Sequence, residues 1–160
     1  MSNNNARAMW PFDTVAPEEL LTRARDAARL AYVPYSRFHV GAAMLIEDAD
    51  GRLEVLTACN VENASFGLTI CAERSAVAIM ASRGLRRPLA VGVTGSPEGR
   101  DDHLSIPCTP CGACRQTLLE FGPKMLVVLA SRDGPTLHRL QDLLPHSFNL
   151  ENRGQTSREP

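Results

Sequence analysis

The chain has 160 residues, 44% of them hydrophobic, and its 17 Lys and Arg stand against 18 Asp and Glu for a net charge of -1. That balance lacks the clustered positive charge of a protein built to hold a polynucleotide, and no run approaches the roughly 18 apolar residues of a membrane span. The length fits one domain, expected over 1–160 with an ordered core from about 14 to 150 and polar tails at 1–13 and 151–160. A chain of this size buries roughly 70% of its unfolded surface and needs neither disulfides nor a structural metal to fold. Met1 to Arg7 contains no apolar stretch of the signal-peptide kind. We therefore expect a cytoplasmic protein, in which an odd count of five cysteines reads as thiols or metal ligands.

In chain order, residues 1–13 are polar and expected to fray. Pro17 suits the first position of a helix, and Leu20, Ala24, Ala27, Ala28 and Ala31 follow at helical spacing, predicting a helix from Pro17 to Tyr32 that stops before Pro34. Val40 to Ile46 is an apolar run of strand length. Asp48-Ala49-Asp50-Gly51 reads as a turn, and Leu53 to Ala58 returns as the second arm of a hairpin. A loop from Asn60 to Thr69 leads into a helix from Cys71 to Arg83, with Gly84 as its C-terminal cap. Pro88 to Thr94 is a third strand, and Ser96 to Pro107 has the Gly, Pro and charge content of an exposed loop. A helix from Cys111 to Phe121 meets a stop at Gly122-Pro123. Met125 to Ala130 is a fourth strand, Arg132 to Pro135 a turn, Thr136 to His138 a short strand, and Leu140 to Leu144 a last helix.

This order predicts a three-layer α/β/α fold around a central mixed sheet of about five strands. The strand-helix-strand units at 53–94 and 88–130 should be right-handed crossovers joining parallel strands. Both cysteine-bearing helices would then start on one edge of the sheet, where open α/β sheets place their ligands.

Those helix starts carry the chemistry. Cys111 and Cys114 lie three residues apart on one helix face, and Cys71 opens the other helix. A helix N-terminus favours negative charge and lowers a thiol's pKa. Three protein ligands with an open position make a catalytic zinc site, whereas four close a structural one. Glu73, two residues from Cys71, would face the open position and carry protons. Arg74 would offset the negative charge of three thiolates by bonding a ligand sulfur. Three Cys or His ligands with a non-ligand Glu is the general pattern of zinc deaminases. Taken alone, Cys111-Gly112-Ala113-Cys114 also fits a redox pair or half of a structural zinc knot. Cys108 competes in a second Cys-x-x-Cys register with Cys111; bracketed by Pro107 and Pro110, it is expected not to be a ligand. Cys59 reads as a small buried residue.

Cys71-Ala72-Glu73-Arg74, with Pro110-Cys111-Gly112-Ala113-Cys114-Arg115-Gln116, resembles the short, homotetrameric cytidine deaminases of pyrimidine salvage. Two more segments agree, Pro34 to Ala43 (PYSRFHVGAA) and Asn60 to Phe66 (NVENASF), so the resemblance spans about residues 17 to 150. It implies zinc on Cys71, Cys111 and Cys114, one ion per subunit, with Glu73 as the proton shuttle. It also implies that Asn60 and Glu62 bind the ribose, chiefly its 3′-hydroxyl, and that Phe38 packs near the pyrimidine. The Ala72 carbonyl would accept from the 4-amino group, and Phe66 belongs to the same substrate-binding set. Phe148 would reach into a neighbouring subunit's site. The segment 96–109 is longer than the resemblance leads one to expect and adds His103 and Cys108, while His39 receives no role. The activity implied is hydrolysis of cytidine and 2′-deoxycytidine to uridine and 2′-deoxyuridine with release of ammonia, without a nucleic-acid or membrane partner. The alternatives are a deaminase of a cytosine-containing antibiotic such as blasticidin S, a polynucleotide deaminase, which the charge balance disfavours, and a non-enzymatic zinc module.

Overall fold

The computed structural model describes residues 9–100 and 102–150. Its elements are α1 (Pro17–Ala28), β1 (Phe38–Glu47), β2 (Leu53–Cys59), a 3-10 turn (Phe66–Leu68), α2 (Ala72–Ser82), β3 (Arg87–Pro97), α3 (Gly112–Phe121), β4 (Leu126–Leu129), β5 (Thr136–Arg139) and α4 (Leu140–Leu143). The sheet order is β2-β1-β3-β4-β5. Every neighbouring pair is antiparallel except β3 and β4.

The alternation of side chains along β1 builds the layers. Ala42, Met44 and Ile46 face α2 and α3 and pack with Ala76, Met80 and Leu118. Ala43 and Leu45 face the opposite way, onto Leu20, Leu21 and Ala24 of α1. One helix therefore covers one face and three cover the other, as the α/β/α expectation had it. Gly41 sets the spacing of the first layer, since a Cβ there would collide with the Ala24 carbonyl oxygen and lie 2.7 Å from the Ala28 nitrogen. Helix α1 rests directly on β1 at that point.

Several expectations need correction. The unit at 53–94 does join strands of parallel direction, since β2 and β3 both run antiparallel to β1, but β1 lies between them and they are not neighbours. Ala42 through Ile46 are all fully buried, so β1 is a central strand with both edges paired, which a hairpin reading alone does not reveal. The unit at 88–130 does join parallel neighbours, with Val91 opposite Val127 and Val93 opposite Leu129. Helix α1 ends at Ala28, short of Tyr32, because Tyr32 turns away to donate its N–H to the Asn60 carbonyl at 3.2 Å. Strand β3 continues through Ser96 and Pro97, paired with His39 and Phe38.

The following segment is less exposed than its composition suggests. Ser96 is fully buried and His103 nearly so. The Ser96 hydroxyl donates to the Asp102 carboxylate in a very short hydrogen bond, and Arg100 pairs with Asp102 at 2.5 Å. The hydroxyl and then the guanidinium hold the Asp102 carboxyl below the usual carboxylate range. Near the other terminus, residues 9–13 do not simply fray. Trp10 and Phe12 pack edge to face with centroids 5.0 Å apart and lie against the α1-side core. The expected tails at 1–8 and 151–160 lie outside the described residues.

Candidate metal and catalytic site

Two helix starts converge on the site. Cys71 is the N-cap of α2 and Cys111 the N-cap of α3, so both stand one position before the helices the sequence predicted to contain them. Neither side chain caps its own helix. Cysteine is a poor capping residue compared with Ser, Thr, Asp or Asn, so both sulfurs remain free for other work. Cys114, on the first turn of α3, is fully buried and completes the group. The three sulfurs all lie within 4.8 Å of one another, and Cys111 and Cys114 approach to 3.4 Å.

That spacing fits zinc. Zn–S bonds of about 2.3 Å in tetrahedral geometry put ligand sulfurs about 3.8 Å apart, inside the observed range. The donor chemistry fits as well. Hydrogen bonding from the Cys114 thiol leads the effects that lower the Cys71 pKa to about 6, with Cys111 and the positive charge of Arg74 assisting. Cys114, as the donor to Cys71 and a buried thiol, is pushed upward. One of the three is thus already poised as a thiolate, and a divalent cation would release the remaining protons. Among the described residues this is the one cluster of three or more such donors.

Glu73 lies on the first turn of α2, 3% exposed. Burial raises its pKa above the ordinary carboxylate value, and the nearby Cys71 charge adds to the rise. A carboxylate that binds a proton more readily, beside an open metal position, is suited to carry protons. Ala72 sits between ligand and acid, fully buried. Arg74 is exposed and acts on Cys71 through its charge.

Cys108 stands outside the three-sulfur group. Burial raises its pKa to about 11, with the charges of Glu73 and Cys71 adding to the rise, so it borders the site as a neutral thiol. A Cβ on Gly95 would come within 2.7 Å of both the Cys108 sulfur and Cε1 of Phe38. Phe38 and Cys108 therefore both border the space over Gly95. Cys59 is a partly buried thiol whose pKa burial raises.

The other expected binding residues lie outside the sulfur cluster: Asn60 is buried, and Phe148 lies with Leu119, Glu120 and Pro123 at the C-terminal end of α3, away from Cys111. Asn60 accepts from Val40 N–H at 2.9 Å and donates to the Phe38 carbonyl at 3.0 Å. Glu62 accepts from the N–H groups of Tyr35 at 2.9 Å and Ser36 at 3.1 Å, and hydrogen bonding to Ser36 leads the effects that hold its carboxyl below the usual range. Phe66 is 74% exposed and meets Tyr35 edge to face at 5.8 Å. Phe148 is exposed near the C-terminus, its carbonyl accepting from Gln116 at 2.9 Å.

Sequence reasoning missed two supports. Arg115 donates through Nε to the Pro110 carbonyl at 2.8 Å and through Nη1 to the Leu143 carbonyl at 2.6 Å, pinning the turn that delivers Cys111. Ser36 accepts from Phe38 N–H at 3.0 Å. Arg115 directly follows Cys114, and that adjacency was the available signal. A serine in an exposed turn gives none.

Comparison with known proteins agrees with this geometry. Residues 15–130 match the family described as the cytidine and deoxycytidylate deaminase zinc-binding region. A cytidine deaminase of Mycobacterium tuberculosis is 48% identical over 130 residues, covering 81% of this chain and 86% of that protein. The crystal structure of cytidine deaminase from Burkholderia pseudomallei superposes with a TM-score of 0.71 at 40% identity, covering 84% of this chain and 100% of that one. A blasticidin-S deaminase of Bacillus cereus is only 24% identical over 131 residues, covering 81% of this chain and 90% of that protein. The chain belongs to the cytidine and deoxycytidylate deaminase family of zinc enzymes.

Proposed function

We propose that the protein hydrolyses cytidine and 2′-deoxycytidine to uridine and 2′-deoxyuridine, releasing ammonia, with a place in pyrimidine salvage. The observation that carries this is the meeting of three sulfurs from two helix starts beside the buried Glu73. Cys71, Cys111 and Cys114 would hold zinc, which when bound would supply the Lewis acidity that makes water nucleophilic near neutral pH. Glu73 takes the first proton from the water that adds to C4 and delivers it to the ring nitrogen, then takes the second from the resulting C4 hydroxyl and passes it to the departing amine, so both protons of the water are used. Its burial favours the protonated state it must pass through. The Ala72 carbonyl orients the 4-amino group, and Phe38 lies against the ring.

Asn60 and Glu62 hold the ribose with the capacity their backbone bonds leave. Asn60 keeps one amide proton, and the Glu62 carboxylate keeps acceptor lone pairs for a 3′-hydroxyl. Sugar recognition separates a nucleoside deaminase from a zinc module, which would bind metal without releasing ammonia.

We further propose a homotetramer with shared sites. Leu30, Tyr32, Phe66, Leu68 and Phe148 are each more than half exposed, and such apolar surface is typical of an interface. Phe148 would enter a neighbour's site. Sedimentation equilibrium should give four times the chain mass, and a monomer at working concentration would refute the assembly. None of the described helices is long and apolar enough to cross a membrane. All five cysteines are free, which suits a cytoplasmic location.

Glu73→Gln tests the mechanism. Zinc content should be unchanged while cytidine turnover, followed by ultraviolet absorbance and ammonia release, falls by roughly 10²- to 10⁴-fold. Near-normal turnover would remove Glu73 from the reaction. A panel of cytidine, 2′-deoxycytidine and blasticidin S fixes the substrate.

A further inference from the structure

The segment from Tyr32 to Phe38 crosses from the end of α1 to the start of β1, and it is held in an uncommon shape. Arg37 has φ +54, a left-handed conformation that side-chain-bearing residues adopt only when their surroundings impose it. The surroundings here are explicit. Arg37 N–H donates to the Val33 carbonyl at 3.1 Å, and its own carbonyl accepts from Glu98 N–H at 2.7 Å. One residue earlier, Ser36 Oγ accepts from Phe38 N–H at 3.0 Å, closing a turn across Arg37. The Ser36 backbone N–H donates to the Glu62 carboxylate at 3.1 Å, and the Ser36 side chain stands close enough to that carboxylate to lower its pKa.

A serine hydroxyl has one donor and two acceptor sites, so it can donate to a carboxylate while accepting from an amide. The Glu62 charge polarises that hydroxyl and strengthens it as an acceptor. Phe38 receives this constraint at its N–H and another at its carbonyl, which Asn60 holds at 3.0 Å. Its ring borders the space over Gly95 that Cys108 also borders, and Cys108 lies within reach of the charges of Glu73 and Cys71. Ser36, Arg37 and Phe38 are all exposed, so these bonds contribute little to global stability. What they fix is where the Phe38 ring stands.

We propose that Ser36 is a positioning residue of the deamination reaction, the link through which Glu62 sets Phe38 against the nucleoside base. Glu62 and Asn60 thereby act on the base as well as on the sugar. The proposal rests on the reading of this site as a cytidine deaminase.

The test compares unmodified protein, Ser36→Ala and Ser36→Thr on cytidine and on 3′-deoxycytidine, which lacks the hydroxyl that Asn60 and Glu62 would bind. Zinc content and thermal midpoint are measured alongside. Ser36→Ala should keep both, and lose roughly tenfold in kcat/KM through displacement of a contact group. The loss should fall mainly on KM, because a ring contact acts on ground state and transition state alike. It should be equal for the two nucleosides, and Ser36→Thr should recover activity to within about twofold of the unmodified protein by restoring the hydroxyl. Unchanged kcat/KM in Ser36→Ala, a loss confined to cytidine, or failure of Ser36→Thr to recover would each overturn the proposal. Unmodified protein inactive on cytidine would instead remove the functional reading, and the proposal with it.

Discussion

The ligand cluster and the binding rim are built by opposite means. Cys71, Glu73, Cys111 and Cys114 take their positions from the first turns of α2 and α3, with Glu73 and Cys114 buried against the core. Two helix starts place these four groups, and the one long-range hydrogen bond described beside them, from Arg115 to the Leu143 carbonyl, braces the turn before Cys111 without engaging any of the four. In the rim, Phe38, Asn60 and Glu62 stand on a strand start and on irregular chain. They are held by bonds that cross 20 to 27 residues of sequence, such as Val40 to Asn60 and Tyr35 to Glu62. The cluster is fixed by secondary structure, while the proposed recognition residues are fixed by hydrogen bonds between distant stretches of chain. Damage to the first should therefore abolish the reaction, and damage to the second should scale it.

The largest effect is expected from Cys114→Ala. This removes the buried sulfur of the three, leaving two partly accessible donors that make a much weaker zinc site. Elemental analysis should find the metal gone and turnover reduced by at least roughly 10³-fold, since the nucleophile depends on it. A variant that kept stoichiometric zinc would show that Cys108 can substitute as ligand, and would weaken the contrast between a preset cluster and an adaptable rim.

An intermediate effect is expected at Arg115, which supports the cluster from outside. Its guanidinium bonds two carbonyls from different segments, those of Pro110 and Leu143. Arg115→Ala should destabilise the protein by roughly 2–4 kcal/mol, from the loss of two charge-assisted bonds, in chemical denaturation. Arg115→Lys should recover only part, because a single ammonium lacks the planar fork that spans both acceptors. Full recovery by Lys would mean that charge alone, and not the two-point clamp, holds the turn before Cys111.

The same division explains what was legible in the sequence. The spacings Cys71-Ala72-Glu73 and Cys111-Gly112-Ala113-Cys114 are local, and helix geometry turns them directly into positions. The layers were legible too, since the helical spacing of Leu20, Ala24 and Ala27 survives in the α1-side core and its edge. The central place of β1 was not, because pairing of Gly41 with both Cys59 and Thr94 is decided by residues far apart in the chain. Ser96 and Pro97 read as loop by composition, yet Phe38 and His39 recruit them into β3. Asn60 and Glu62 were placed in the site by resemblance, but their bonds to Val40, Phe38, Tyr35 and Ser36 have no sequence signature. A polar side chain in a loop looks the same whether it meets solvent, backbone or ligand.

Gly95 joins the two regions and gives the smallest expected effect. It lies on β3 opposite Val40, where Phe38 and Cys108 occupy the space that a side chain would need. An added Cβ would stand 2.7 Å from Cys108 Sγ and from Phe38 Cε1, and 3.2 Å from Phe38 Cζ. Something must move. Phe38 is 38% exposed and can swing outward, whereas Cys108 is packed against the α2-side core. Gly95→Ala should therefore displace the ring rather than the thiol. Overpacking of this kind costs roughly 1–3 kcal/mol, and the lower end is expected here because the ring can yield toward solvent. Zinc content should be unchanged, and KM for cytidine should rise by a few-fold while kcat holds, as for loss of a contact made equally in ground and transition states. A fall in kcat with KM unchanged would mean that the methyl had moved Cys108 and Glu73 instead, and the rim would then be mechanically continuous with the cluster.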